Sequence, residues 1–463
     1  MMFKLIFSAF MLFQWEYCFG GFISTPKTLD LSNRGITRED FFTKIQFSND
    51  MREVTELILR GNELDRFIDC STSLKSLETL DLSYNKLETF FFLCSEEETL
   101  LSLNVSHNNI YYIDDKALSY KIIQLKTLDV SFNDIYVVND TMLQHMKNLE
   151  FLSLASNPIQ EMDQYVFQNL TKLTHLNLRN TSSLYFSSSM FEPLINLEYL
   201  DLSWNPIEEI PYLPFNIRVL YICGTNIAHL SSFVMPNLRV FYADHSPNLT
   251  SVLLNDFENL TSLEHLSFRD SERLSRVYLR SDPTGMLSAK LLPNLKTLSL
   301  QNCALETLEE NLLPIVQKTA AVDLQNNPWR CDCNMKWINT FKLTTDLINS
   351  FRCTSPPNHY NRLLNNITDA ELVCKDPFEN SASYISGNTG RILYSTLLTC
   401  LALVAFGLSA VAIVYYSRGC LGQWISKMRH QRTDTVSYSN FVESHNDMVQ
   451  ILPNGDNREA YEA

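Results

Sequence analysis

Apolar residues along this chain recur in a fixed unit: one apolar residue, one polar or variable residue, then a second apolar residue. The first member falls at Leu29, Leu57, Leu80, Leu103, Leu128, Leu152, Leu176, Leu200, Leu220, Phe241, Leu266, Leu298 and Val322, mostly in steps of 20 to 25 residues. Alternation over so few residues predicts a short strand with both apolar side chains on one face. No such unit can bury its apolar face alone, so the repetition predicts strands stacked into one parallel sheet over a continuous core. The step from Leu266 to Leu298 is long, and its extra residues lie around Ser281, Asp282, Pro283, Thr284 and Gly285, which predicts a projecting loop.

Written out, the units read Leu77-Glu-Thr-Leu80-Asp-Leu82-Ser-Tyr-Asn85-Lys-Leu87, then Leu149-Glu-Phe-Leu152-Ser-Leu154-Ala-Ser-Asn157-Pro-Ile159, then Leu197-Glu-Tyr-Leu200-Asp-Leu202-Ser-Trp-Asn205-Pro-Ile207. They resemble the leucine-rich repeat, LxxLxLxxNxL. The resemblance implies an α/β solenoid, a parallel β-sheet horseshoe, over residues 21–327. The turn asparagines Asn62, Asn85, Asn108, Asn133, Asn157, Asn205 and Asn327 carry an amide that can satisfy backbone groups where the chain leaves each strand. Thr181, Thr225, Ser271 and Cys303 stand at that position in other repeats, and Cys303 reads as a small buried residue. Phe167, Phe191 and Phe257 fall late in their repeats and are expected to fill the convex side.

After the last repeat comes Asn327-Pro328-Trp329-Arg330-Cys331-Asp332-Cys333, followed by Trp337, Cys353 and Cys374. This resembles the cysteine-rich C-terminal cap of extracellular leucine-rich repeat proteins, here residues 328–375. The resemblance implies that Cys331 pairs with Cys353 and Cys333 with Cys374. Such a cysteine set could hold a metal in a reducing compartment, whereas secretion favours disulfides. No matching cysteine-rich cap precedes the repeats, so residues 22–50 must cover that end differently. Cys70 and Cys94 lie at similar offsets in adjacent repeats and form a candidate bridge. Cys223 reads as an unpaired, partly shielded thiol on the concave side.

Two longer apolar segments bear on the compartment. Lys4 followed by the run from Leu5 to Phe13 fits a signal peptide over residues 1–20. Residues 392–416 carry no charge and are long enough for a transmembrane helix, with a juxtamembrane stalk at 376–391 before them. Arg418, Lys427, Arg429 and Arg432 follow, which places the tail, residues 417–463, in the cytoplasm. The expectation is a single-pass type I plasma-membrane protein with its N-terminus extracellular. The ectodomain resembles that of Toll-like receptors, but this tail is too short for their Toll/interleukin-1 receptor domain. In the tail, Tyr438 to Phe441 fits the YxxΦ pattern read by endocytic adaptors, and phosphorylated Tyr438 with Asn440 resembles an SH2 adaptor ligand. Cys420, just inside the membrane, is a palmitoylation candidate.

Composition narrows the function. The net charge of −15 disfavours nucleic acid as a partner. The chain holds no GxGxxG, GxSxG or HExxH, and its nine histidines are scattered, so neither an enzyme nor a cofactor or metal is expected. Asn104, Asn139, Asn169, Asn180, Asn248, Asn259 and Asn366 each begin N-x-[ST], which predicts a glycoprotein. Residues beside the inward leucines project from the concave sheet, and those lanes hold Tyr84, Phe132, Phe151, His175, Tyr199, Trp204, Tyr221 and Tyr242. A glycan on Asn104 would stand on that sheet, so the partner surface is placed around Tyr199, Trp204, Tyr221 and Tyr242. The resulting reading is an adhesion or recognition receptor for an extracellular protein or glycan. Its alternatives are an innate-immune receptor, co-receptor or decoy, and a membrane-anchored structural or matrix-organising protein.

Overall fold

The computed structural model describes residues 27–374, except 70–73, 93–98, 115, 119, 232–233, 281–289, 340–346 and 348, together with Leu401 and Val404. The expected signal peptide, the Cys70–Cys94 bridge, the loop at 281–285, the stalk and the tail with Cys420, Tyr438 and Phe441 all lie outside the described residues, as does nearly all of segment 392–416. Among the described residues, no helix is long and apolar enough to cross a membrane. The chain divides into two units, residues 1–374 and 375–463.

The first unit is built on a parallel sheet of thirteen strands, from Thr28–Asp30 to Ala321–Asp323, laid side by side in chain order. Its register joins Leu29 to Leu57, Leu57 to Leu80, and so on to Leu298 and Val322, so all thirteen leading apolar positions form one column. The column is sealed in the middle, from Leu57 to Phe241, and only half-buried at Leu29 and Val322, where one neighbouring strand is missing. The convex side carries two-stranded parallel pairs, Arg66–Asp69 with Thr89–Phe92, Val137–Val138 with Glu161–Met162, and Ser251–Leu253 with Arg276–Tyr278. Phe167, Phe191 and Phe257 are buried. Among the described residues, the α-helices with defined bounds in the first unit are Arg38–Asp40, Leu313–Lys318 and Lys336–Asn339, so the helical part of the α/β class is slight there. A repeat this short must recross the core in few residues, and extended chain covers distance with fewer residues than helix does.

Two polar ladders hold the turns. Asn108 donates from Nδ2 to the carbonyls of Val105 (2.9 Å) in its own repeat and Leu82 (3.0 Å) in the one before, while its Oδ1 accepts from the Leu87 N–H at 2.9 Å. The residue after each leading leucine folds back as well: Asp81, Asn104, Asp129 and Asp201 each accept from the N–H two residues on, at 2.8–2.9 Å. These side-chain oxygens are thus occupied by the backbone. Just before each turn asparagine, or its substitute, runs a lane the sequence reading did not anticipate. Asn33, Gly61, Tyr84, His107, Phe132, Ser156, Asn180, Trp204, Gly224, His245, Asp270, Asn302 and Asn326 all have φ between +53° and +69°. Every repeat therefore turns through the left-handed region.

The two ends differ. At the start, Thr37 and Asp40 form a capping box, and Phe41, Met51 and Val54 are buried, with Phe41 5.5 Å from Phe67. At the other end Cys331 is bonded to Cys353 and Cys333 to Cys374, with Cα separations of 5.6 and 5.0 Å. Trp329 is fully buried there, packs 5.0 Å from Phe351, and donates from Nε1 to the Ser350 carbonyl at 3.0 Å.

Candidate partner-binding face

Strand alternation turns the residue before and the residue after each leading leucine toward the concave side. Tyr199 occupies the first of these positions in its repeat, and Tyr221 and Tyr242 the second in theirs. The Tyr199 and Tyr221 rings meet edge-on at 5.6 Å, and Tyr221 and Tyr242 lie 5.2 Å apart. The row extends backward through His175 (5.6 Å from Tyr199) and Phe151 (6.3 Å from His175), crossing the sheet obliquely. Trp204 does not join it. That ring belongs to the left-handed lane, 5.6 Å from His245 and 5.5 Å from the Arg179 guanidinium. It lies over Gly224, where a Cβ would meet the indole at 2.7 Å. Three of the four anticipated anchors thus form one row and the fourth stands in another.

His107 and His245 escaped the sequence reading, as did the role of Ser246, whose hydroxyl donates to the Ala243 carbonyl at 2.8 Å from the turn-asparagine position. His107 is sandwiched between Tyr84 (4.0 Å) and Phe132 (4.1 Å) with nearly parallel rings. Reading the residue before each turn asparagine as a lane of its own would have found His107, and His245 once Ser246 was counted at that turn position.

The tyrosine row is electrically quiet. Burial, then the neighbouring Asp201 carboxylate, pushes the Tyr199 phenol up to about 12. Burial first of all raises Tyr221 and Tyr242 as well. Below them Asp244 is raised by burial, although Ser267 Oγ (2.5 Å) and the Arg269 N–H (2.7 Å) donate to it. Cys223, close to this carboxylate, is pushed up to about 11, again mainly by burial. Cys303 is buried, donates to the Phe268 carbonyl at 3.2 Å and is pushed up to about 12. Both thiols therefore stay protonated and poorly nucleophilic. The face offers phenol O–H donors and ring edges, a chemistry of contact and not of proton transfer.

Asp332, Cys333 and Cys374 come together at the cap, but both sulfurs are spent in a disulfide and offer no thiolate to a metal. Of the seven sequon asparagines none is buried; Asn180, Asn248, Asn259 and Asn366 are exposed, and Asn104, Asn139 and Asn169 partly so.

Models of the family described as leucine rich repeat match residues 98–159, 152–207 and 76–95. That stretch is built of leucine-rich repeats. Among curated relatives, trophoblast glycoprotein of Macaca fascicularis is 28% identical over 175 residues, 37% of either chain. Transforming growth factor beta activator LRRC33 of Danio rerio is 26% identical over 209 residues, 43% of this chain and 30% of that one. The leucine-rich-repeat chain thus spans about a third of the length of the curated relatives it matches. A solved leucine-rich-repeat protein of Leptospira interrogans shares the fold at 20% identity and a TM-score of 0.50, over 66% of this chain and 80% of that one.

Proposed function

We propose that this leucine-rich-repeat protein is a type I cell-surface glycoprotein that recognises an extracellular protein through its concave sheet. The observation that carries the reading is the row His175, Tyr199, Tyr221 and Tyr242, four rings in contact on strands of one registered sheet. Rigid aromatic side chains lose little entropy on binding and dominate interface energetics. Similarity to trophoblast glycoprotein and to a growth factor activator, neither named as an enzyme, supports a recognition role. The division at 1–20, 21–327, 328–375, 376–391, 392–416 and 417–463 belongs to the same proposal. So do a sorting or phosphotyrosine role for Tyr438 and palmitoylation of Cys420.

The test displays the full-length chain on cells and captures surface partners by proximity labelling. The captured partner is then offered to a variant in which Tyr199, Trp204, Tyr221 and Tyr242 are all serine. Loss of binding with normal surface arrival is the expected result. Undiminished binding by that variant would overturn the assignment.

A further inference from the structure

The left-handed lane holds a second aromatic array, which the partner row does not use. The Arg60 guanidinium covers one face of Tyr84 at 4.2 Å; Tyr84, His107 and Phe132 then stack at 4.0 and 4.1 Å with interplanar angles of 14° and 9°. One end of this stack is closed by a cation. At the other end Phe132 is 50% exposed, and the next two lane positions, Ser156 and Asn180, bring no ring. Beyond them Arg179 leans over Trp204, 5.5 Å from its ring.

Asn180, two repeats on from Phe132, reaches back toward it. Its Nδ2 lies 3.4 Å from Oγ of Ser156, which belongs to the repeat next to Phe132. Neighbouring strands are about 4.8 Å apart, close to the ring spacing of the stack itself. Asn180, Thr181 and Ser182 form a sequon, and Asn180 is exposed. One face of a pyranose carries axial C–H bonds, which present positive charge to the negative face of a π-system.

We propose that the first sugar of an N-glycan on Asn180 stacks on the open face of Phe132 and forms the next rung of this array. The site rests on the extracellular reading of this part of the chain. In the attachment step the amide nitrogen bonds to the anomeric carbon of an oligosaccharide carried on a lipid diphosphate; the nitrogen loses one proton and the diphosphate leaves. The seated sugar covers the stretch between Phe132 and Trp204 and confines protein partners to the tyrosine row.

The full-length chain is expressed in a secretory cell, and glycopeptide mass spectrometry reads occupancy at the sequons. The folded protein is then treated with a peptide N-glycosidase, and glycan release is timed site by site. Release from Asn180 is expected to be about fivefold slower than from Asn248. Phe132→Ser should abolish that protection, Phe132→Tyr should keep it, and Asn248 should respond to neither. Equal release rates, protection indifferent to Phe132→Ser, or a bare Asn180 beside occupied Asn248 and Asn366 would each overturn the proposal. If every sequon were bare, the extracellular reading would fall and this site with it.

Discussion

The repeats that turn on Asn85, Asn108, Asn133 and Asn157 and those that turn on Thr225, Ser246, Ser271 and Cys303 share one sheet and one register, yet they close their turns differently. In the first group Asn85, Asn108, Asn133 and Asn157 each donate to a carbonyl of their own repeat and to one of the repeat before. Each also accepts an N–H from that earlier repeat. In the second group the Thr225 hydroxyl reaches the Ile222 carbonyl at 3.0 Å and that of Ser246 reaches Ala243, both within their own repeats. Ser271 Oγ accepts from the Ser246 N–H at 3.1 Å and Cys303 donates to the Phe268 carbonyl, each in the repeat before. An amide has donors and an acceptor enough to bond three backbone groups across two repeats at once; a hydroxyl or thiol has fewer. Stability in an array is a sum of repeat and interface contributions. Beside Tyr221, Cys223 and Tyr242, the turn hydroxyls of Thr225 and Ser246 thus donate within their own repeats.

That contrast can be broken by mutation. The largest effect is expected from Asn108→Ala, which strands the buried Leu87 N–H and removes donors to the Leu82 and Val105 carbonyls. It should cost about 3 kcal/mol, against about 1 kcal/mol for Thr225→Ala, read from urea unfolding midpoints. Equal losses would show that the two kinds of turn couple the repeats alike. Next comes Gly224→Ala, which combines a φ of +66° with a Cβ driven into the Trp204 indole. About 2 kcal/mol and a shifted tryptophan emission are expected. Gly35→Ala, at the same φ but with nothing within 4 Å, should cost about 1 kcal/mol.

Thr225→Asn runs the comparison in reverse. If the amide is the missing rivet, it should raise stability by about 1 kcal/mol, visible as a later unfolding midpoint; a destabilised variant would show that this turn has no room for it. The smallest effects concern pH and separate the second group from the cap. Asp244 holds its proton more tightly when folded, so its contribution falls as pH rises from the ordinary aspartate value through the raised one. Asp244→Asn should therefore stabilise at neutral pH and do little in acid. Glu371 in the cap is held at about 2 by the Thr368 backbone N–H and hydroxyl and then by Arg362. Its contribution is complete above the ordinary glutamate value and is lost as pH falls toward 2. Unfolding of Asp244→Asn and Glu371→Gln across pH should thus deviate from the parent with opposite slopes.

Strand positions and register were legible because thirteen apolar pairs repeat at nearly constant spacing, and a parallel sheet with one buried face admits no slip. The cap's disulfide partners came from resemblance, since four cysteines allow three pairings. The separation of Trp204 from the tyrosines was not legible. Counting every residue beside a leucine as one lane merges three offsets whose side chains leave the strand in different directions. Ser246 went unnoticed for a related reason: a serine announces no turn by itself, and only the carbonyl of Ala243 shows what its hydroxyl does. The left-handed lane is a property of backbone torsions, foreshadowed only by the asparagines and glycines among aromatic residues that mask them.

That lane has a consequence for how such a protein can diversify. Its thirteen positions hold asparagine, glycine, aspartate, serine, histidine and aromatic residues, and no valine, isoleucine or threonine. Branching at Cβ is what the left-handed region tolerates least. Mutation therefore draws on a short alphabet along this edge, whatever ligand is being selected for. Changes of specificity there proceed by trading rings, imidazoles and amides, so substitutions tallied at those thirteen sites would measure torsional permission before they measured recognition.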